Sequence, residues 1–209
     1  SRVLPFRFVA AAKACPGWED VCDAMLLRCT AQASKLPGKT VIVVDVSGSM
    51  YSAGNISARS DMTRVEAAGA LAAILRETCE DARLYATAGN DYSRVHATAE
   101  VPPRRGMALV DMFTKQGFAG SLGGGGIFLH QCLSAIKSVE HSADRIIVLT
   151  DEQDCDLKLK PETADAFGIN NYLINVSVQK NGVGYKPNWV HIDGWSEAVI
   201  DYIRGFEVQ

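Results

Sequence analysis

Val41-Ile42-Val43-Val44-Asp45-Val46-Ser47-Gly48-Ser49 joins an unbroken apolar run to a carboxylate and two hydroxyls at alternate positions. Four consecutive large apolar residues read as a strand buried on both faces, which is the mark of a parallel sheet covered by helices. At the strand's carboxyl end, the two-residue spacing of Asp45, Ser47 and Ser49 aims three oxygens at one point. That is the outline of a hard-cation site, because magnesium takes oxygen ligands, keeps waters and needs only one or two carboxylates. The competing local reading is a turn, with Ser47 and Ser49 satisfying backbone groups and Gly48 supplying a permissive conformation.

A second run, Ile146-Ile147-Val148-Leu149-Thr150-Asp151, also ends in aspartate. In a parallel sheet it brings Asp151 to the same rim as Asp45. The combination resembles the metal-ion-dependent adhesion site of von Willebrand factor A domains, whose pattern is Asp-x-Ser-x-Ser, a distant Thr and a later Asp. The resemblance implies a divalent cation, magnesium by preference, held by Asp45, Ser47, Ser49 and Asp151. The chain departs from the pattern at the Thr. Gly123-Gly124-Gly125-Gly126-Ile127-Phe128-Leu129 puts Ile127 in that slot, and isoleucine cannot ligate magnesium. A water, a displaced loop or no metal at all remain open there.

The rest of the chain fits one large α/β unit. Its 209 residues, 47% of them hydrophobic, suffice for a sizeable core. Trp18 to Ser34 reads as a helix with Val21, Met25, Leu26, Cys29 and Ala33 on one face. A polar connection follows from Tyr51 to Asp61, and Thr63-Arg64-Val65-Glu66 has the spacing of a capping box opening a buried Ala- and Leu-rich helix to Cys79. Arg83 to Ala88 and Arg94 to Thr98 read as a hairpin around Gly89-Asn90-Asp91. Helices are expected at Met107 to Gln116, Ile127 to Val139, Pro161 to Phe167 and Ser196 to Gly205, with strands at Tyr172 to Val178 and Trp189 to Ile192. Strands alternating with helices give a doubly wound, mostly parallel sheet with one antiparallel edge strand.

Several chemistries are disfavoured. The net charge of −3, from 21 Lys plus Arg against 24 Asp plus Glu, does not make a phosphate-binding surface. Arg104-Arg105 is the only tight arginine pair, and it reads as a solvated loop. The run Gly123 to Gly126 lacks the Gly-Lys-Ser/Thr ending of a phosphate loop. Six cysteines without close pairs read as buried free thiols, with Cys155 as the exposed one. No histidine or cysteine is placed by sequence beside Asp45 as a general base, so a metal-assisted hydrolase is disfavoured and the chain is expected not to be an enzyme. Glu152-Gln153-Asp154 reads as a solvated acidic turn, His130 as a helix-surface or packing residue, and His191 with Trp189 and Trp195 as core. No segment is long and apolar enough to cross a bilayer, and Ser1-Arg2-Val3-Leu4-Pro5-Phe6-Arg7 is not a signal sequence, so a cytoplasmic fragment is expected.

The chain ends carry a narrower resemblance. Ile192-Asp193-Gly194-Trp195 followed by Val199-Ile200-Asp201-Tyr202-Ile203-Arg204-Gly205-Phe206 resembles the closing segment of Ro autoantigen (TROVE-domain) proteins. Leu4-Pro5-Phe6-Arg7-Phe8 and the helix through Ala24-Met25 resemble the end of that family's helical-repeat ring, and Asp45-Val46-Ser47-Gly48-Ser49-Met50 matches its A domain. The resemblance implies a ring tail over 1–36 and a von Willebrand factor A-like domain over 37–209. It also implies a parent that binds small noncoding Y RNAs through its ring in RNA quality control. A protein partner would reach the cation site through an acidic side chain. An autonomous adhesion or chaperone-like A domain unrelated to RNA stands as the alternative.

Overall fold

The computed structural model describes residues 4–52, 55–57, 60–115, 117–156, 166–177, 188–196 and 198–208. A six-stranded sheet organises them. Its strands are β1 (Leu36–Asp45), β4 (Cys79–Asn90), β5 (Val95–Glu100), β6 (Ala143–Thr150), β7 (Gly168–Asn175) and β8 (Val190–Asp193), in the order β5-β4-β1-β6-β7-β8. All neighbours are parallel except β4 and β5, which form the expected antiparallel edge. β1 lies between β4 and β6, and the winding reverses beside it. Ligand sites of such sheets lie outside the strand carboxyl ends at that reversal.

The strand residues alternate between two cores, as period-two side chains must. Ile42, Val44, Leu84, Ala86, Ile147, Leu149 and Ile174 face the larger core. It is completed by α1 (Pro5–Ala14), α2 (Glu19–Ala31), α4 (Arg64–Thr78), α5 (Gly106–Thr114) and α7 (Ala198–Glu207). Val41, Val43, Tyr85, Ile146, Val148 and Leu173 face the smaller core, where α6 (Leu129–Glu140) contributes Leu129, Cys132, Leu133 and Ile136. α4 starts as the sequence predicts, because Thr63 Oγ1 accepts from Glu66 N at 3.3 Å and Thr63 N donates to Glu66 Oε2 at 2.7 Å. At the far end of the sheet the buried Arg145 bonds Thr40 Oγ1 at 2.8 Å and grips Glu207, tying α7 to the base of β1 and β6.

Several expectations shift. The polar connection carries a short α3 (Gly48–Ser52) and a ribbon of β2 (Asn55–Ser57) with β3 (Ser60–Thr63). α2 is rotated from its expected face: Cys22, Leu26 and Thr30 point inward, while Val21 and Met25 are 47% and 42% exposed. Ile127 precedes α6 instead of opening it, and bridges to Asp154. Cys15 is the exposed thiol, whereas Cys155 is half-buried, and the described cysteines are free. The helix expected over Pro161 to Phe167 falls largely outside the described residues, as does Val178. Among the described residues, no helix is long and apolar enough to cross a membrane.

Residues 5–31 are joined to the sheet by more than apolar contact. Phe6, Val9, Ala12 and Leu26 belong to its larger core, and the Phe6 and Trp195 rings lie 4.6 Å apart. Lys13 Nζ donates to Glu66 Oε2 at 2.7 Å, within the α4 cap. Arg105 at the start of α5 has no capping side chain of its own, and Asp23 of α2 accepts from Met107 N at 2.7 Å in its place. Loss of a side chain that caps a helix costs about 1–2 kcal/mol. Asp23→Ala should therefore lower the unfolding free energy of the whole unit by that amount, read as a lower denaturant midpoint at unchanged slope; an unchanged midpoint would separate α2 from the unit.

Candidate metal centre

The structure brings all four sequence-predicted ligands to one rim. Asp45 and Asp151 end adjacent parallel strands, and Asp45, Ser47 and Asp151 are buried while Ser49 is half-buried. Asp45 Oδ1 accepts from Ser47 N at 2.8 Å, and Ser47 and Ser49 hydroxyls lie 3.2 Å apart. Thr150 Oγ1 donates to Asp45 Oδ2 at 2.6 Å and in turn accepts from Glu152 N at 3.0 Å. Burial first, and the charge of Asp151 second, push the Asp45 carboxyl up to about 7. The same burial and the Asp45 charge push the Tyr51 phenol up to about 12.

A guanidinium stands where a metal's charge would act. Arg64, the first residue of α4, donates Nη1 to Asp151 Oδ2 at 2.6 Å, with side chains 10% and 0% exposed. Asp151 Oδ1 also accepts from Gln153 N at 3.2 Å. In the Thr slot, Ile127 is fully buried among the smaller core's residues and offers no oxygen. The residues thus fit a strong magnesium site poorly. Two carboxylates and two hydroxyls converge, yet one carboxylate already has a permanent cation and the third neutral oxygen is missing.

The glycine run is structural. Gly48 N donates to Gly125 O at 3.1 Å, Gly125 N to Gly89 O at 3.0 Å and Gly126 N to Asp91 Oδ1 at 2.7 Å, so these amides are already engaged. A Cβ on Gly48 would lie 2.9 Å from Gly124 O, which explains the small residue between the two serines. Arg105 is no phosphate ligand either, for its guanidinium forks onto Glu77, with Nε to Oε1 at 2.8 Å.

Sequence reading missed the neighbours of this rim. Arg64 carried a signal, since a cation in the first turn opposes the helix dipole and requires a strong partner. Glu152 is no solvated turn: it is 1% exposed and hydrogen-bonds His191 Nε2. His191 Nε2 also lies 3.9 Å from Asp193 Oδ1. Glu152, His191 and Asp193 place one ligand atom each within 4.8 Å of one another, near enough to share one ion. Asp154 caps α6 by accepting from Leu129 N at 3.2 Å, and burial pushes its carboxyl up to about 6.

No family model matches the sequence, and no curated protein matches it. Among solved structures, the chain is similar to the Ro (RSR) protein of Deinococcus radiodurans, at TM-score 0.67 and 14% identity over 98% of this chain. The match takes in 44% of that protein, so the chain spans less than half its length. It is also similar to an aerotolerance-related membrane protein from Bacteroides fragilis NCTC 9343 carrying multiple mutations to serine, at TM-score 0.45 and 15% identity over 66% of each chain. The fold, a helix-flanked and mostly parallel sheet with its helical lead, is shared with the Ro structure.

A carboxyl raised from its ordinary 3.8 to about 7 holds its proton in the folded state to higher pH than in the unfolded state. Its contribution to stability is therefore full below about pH 4 and is lost as pH rises toward 7. Asp154 acts in the same direction over a narrower range. With chelator present, Asp45→Asn should flatten the fall in stability between pH 4 and 7, as measured by denaturant midpoints at each pH. Parallel wild-type and variant curves would show that Asp45 is ionised throughout.

Proposed function

We propose that the chain is the closing A domain of a Ro-type RNA-binding protein, a cytoplasmic binding module and not an enzyme. In this reading 1–36 is the tail of the parent's helical ring and 37–209 the A domain. The observation that carries it is the likeness to the Deinococcus Ro protein over 98% of the chain, which takes in the helical lead as well as the sheet. Trp18, just before α2, and Val21 and Met25 on it add support, because they are exposed apolar residues on which preceding helical repeats would pack. Small noncoding Y RNA would be held by the ring. This segment, with 21 Lys plus Arg against 24 Asp plus Glu, offers no charge excess for counterion release.

The rim of Asp45, Ser47, Ser49 and Asp151 is then the docking position for a protein partner, whose acidic side chain would complete a magnesium shell. Arg64 and Ile127 make that magnesium weakly held. The sharing of one core by residues 5–31 and the sheet favours a second reading, an autonomous A-type interaction module unrelated to RNA.

RNA binding separates the two readings. At physiological salt this chain should bind a small structured RNA no tighter than about 100 µM, the weak end of nonspecific binding. The parent with its ring should bind far more tightly by fluorescence anisotropy. Equal weakness in both proteins would leave the autonomous module. Tight, specific binding by this chain alone would place the RNA function here and not in the ring.

Calorimetry tests the rim. Magnesium should bind weakly to wild type and not at all to Asp45→Ala, and Ile127→Thr should tighten it by restoring an oxygen. Arg64→Gln should destabilise the chelated protein by about 3 kcal/mol, the usual cost of stranding a buried charge. Magnesium should restore part of that loss. An Arg64→Gln protein indifferent to magnesium would remove this rim as a cation site.

A further inference from the structure

Glu152 and Asp151 are consecutive, yet their carboxylates serve different neighbours. Asp151 turns to Arg64, while Glu152 turns to His191 on β8. The fold fixes all three members of the second group. Glu152 takes a positive φ of 65° and is anchored by its amide to Thr150 Oγ1 at 3.0 Å. His191 and Asp193 are two apart on β8 and so share one face, and the pairing of β8 with β7 sets Asn175 opposite Asp193. Asn175 Nδ2 donates to Asp193 Oδ1 at 3.3 Å, which holds that carboxylate toward the imidazole.

We propose that Glu152, His191 and Asp193 bind one divalent transition-metal ion of the zinc class, at a site separate from the Asp45 rim. The donor set decides the class: one imidazole with two carboxylates suits zinc, cobalt or manganese, whereas magnesium favours an all-oxygen shell with several waters. The spacing agrees. Ligands about 2.0–2.2 Å from a tetrahedral ion lie roughly 3.4 Å apart, close to the 3.9 Å between His191 Nε2 and Asp193 Oδ1. The ion opens the Glu152–His191 hydrogen bond and sits between its partners. Glu152's side chain is 0% exposed and Asp193's is 44%, so the ion enters from the Asp193 side. Three protein ligands with one open position is the arrangement in which a bound water or an anionic ligand takes the fourth place.

Cobalt(II), a coloured probe for zinc sites, tests this on the intact, chelator-stripped chain. One equivalent should give visible absorption without the intense near-ultraviolet band of thiolate ligation, resist excess magnesium and be displaced by zinc. His191→Gln and Asp193→Asn should each weaken cobalt binding at least tenfold, and His141→Asn should leave it unchanged. Asp193 is exposed, so its variant keeps the fold, and equal melting of all variants in chelator verifies this. Absence of a cobalt spectrum, a thiolate band, or binding indifferent to both ligand substitutions would overturn the assignment and leave Glu152–His191 as a plain hydrogen-bonded pair.

Discussion

Two carboxylates at the ends of adjacent parallel strands repel each other, and in this protein neither reaches water. Asp45 and Asp151 are both 0% exposed. Burying one unpaired charge costs several kcal/mol, so such a rim persists only if each carboxylate is neutralised. The protein uses a different device for each. Asp151 takes the Arg64 guanidinium at 2.6 Å, and Asp45, with its carboxyl pushed to about 7, retains a proton into the neutral range while Thr150 and Ser47 bond its oxygens.

That requirement reaches outward into the fold. Arg64 reaches Asp151 only because Thr63 and Glu66 start α4 at the rim, and Glu66 is in turn the anchor of Lys13 on α1. The helical lead, the buried helix and the sheet are therefore coupled through one short segment, residues 61–66. Lys13 Nζ also donates to Asp61 O at 2.5 Å in that segment. Arg64 thus supplies at Asp151 the positive charge that a bound cation would otherwise bring.

The fold was largely legible because its signals are local. Val41 to Asp45, Ile146 to Asp151, the Thr63 and Glu66 cap and the β4–β5 hairpin follow from period and spacing alone. The phase of α2 was not legible: Val21, Cys22, Met25, Leu26 and Cys29 cover a wide apolar arc, and which half faces inward depends on α5 and on Asp23 capping it. Ile127 was expected to open α6 but precedes it, because α6 starts at Leu129, whose amide is bonded by Asp154, a residue remote in sequence. The four oxygen-bearing residues of the rim were readable as a motif. Arg64 was readable only through its unfavourable place at a helix start. Glu152, His191 and Asp193 were not readable, since only the β6-β7-β8 order brings them together.

Direct titration of the Asp45 carboxyl tests the central claim, that this rim is neutralised from within. Carbon-13 NMR of aspartate-labelled protein in chelator, with Asp45→Asn to assign the resonance, follows that carboxyl across pH 3 to 9. The account predicts a resonance that titrates near 7, well above the ordinary 3.8. A resonance titrating near 4 would show Asp45 ionised beside Asp151 without a metal, and would contradict it.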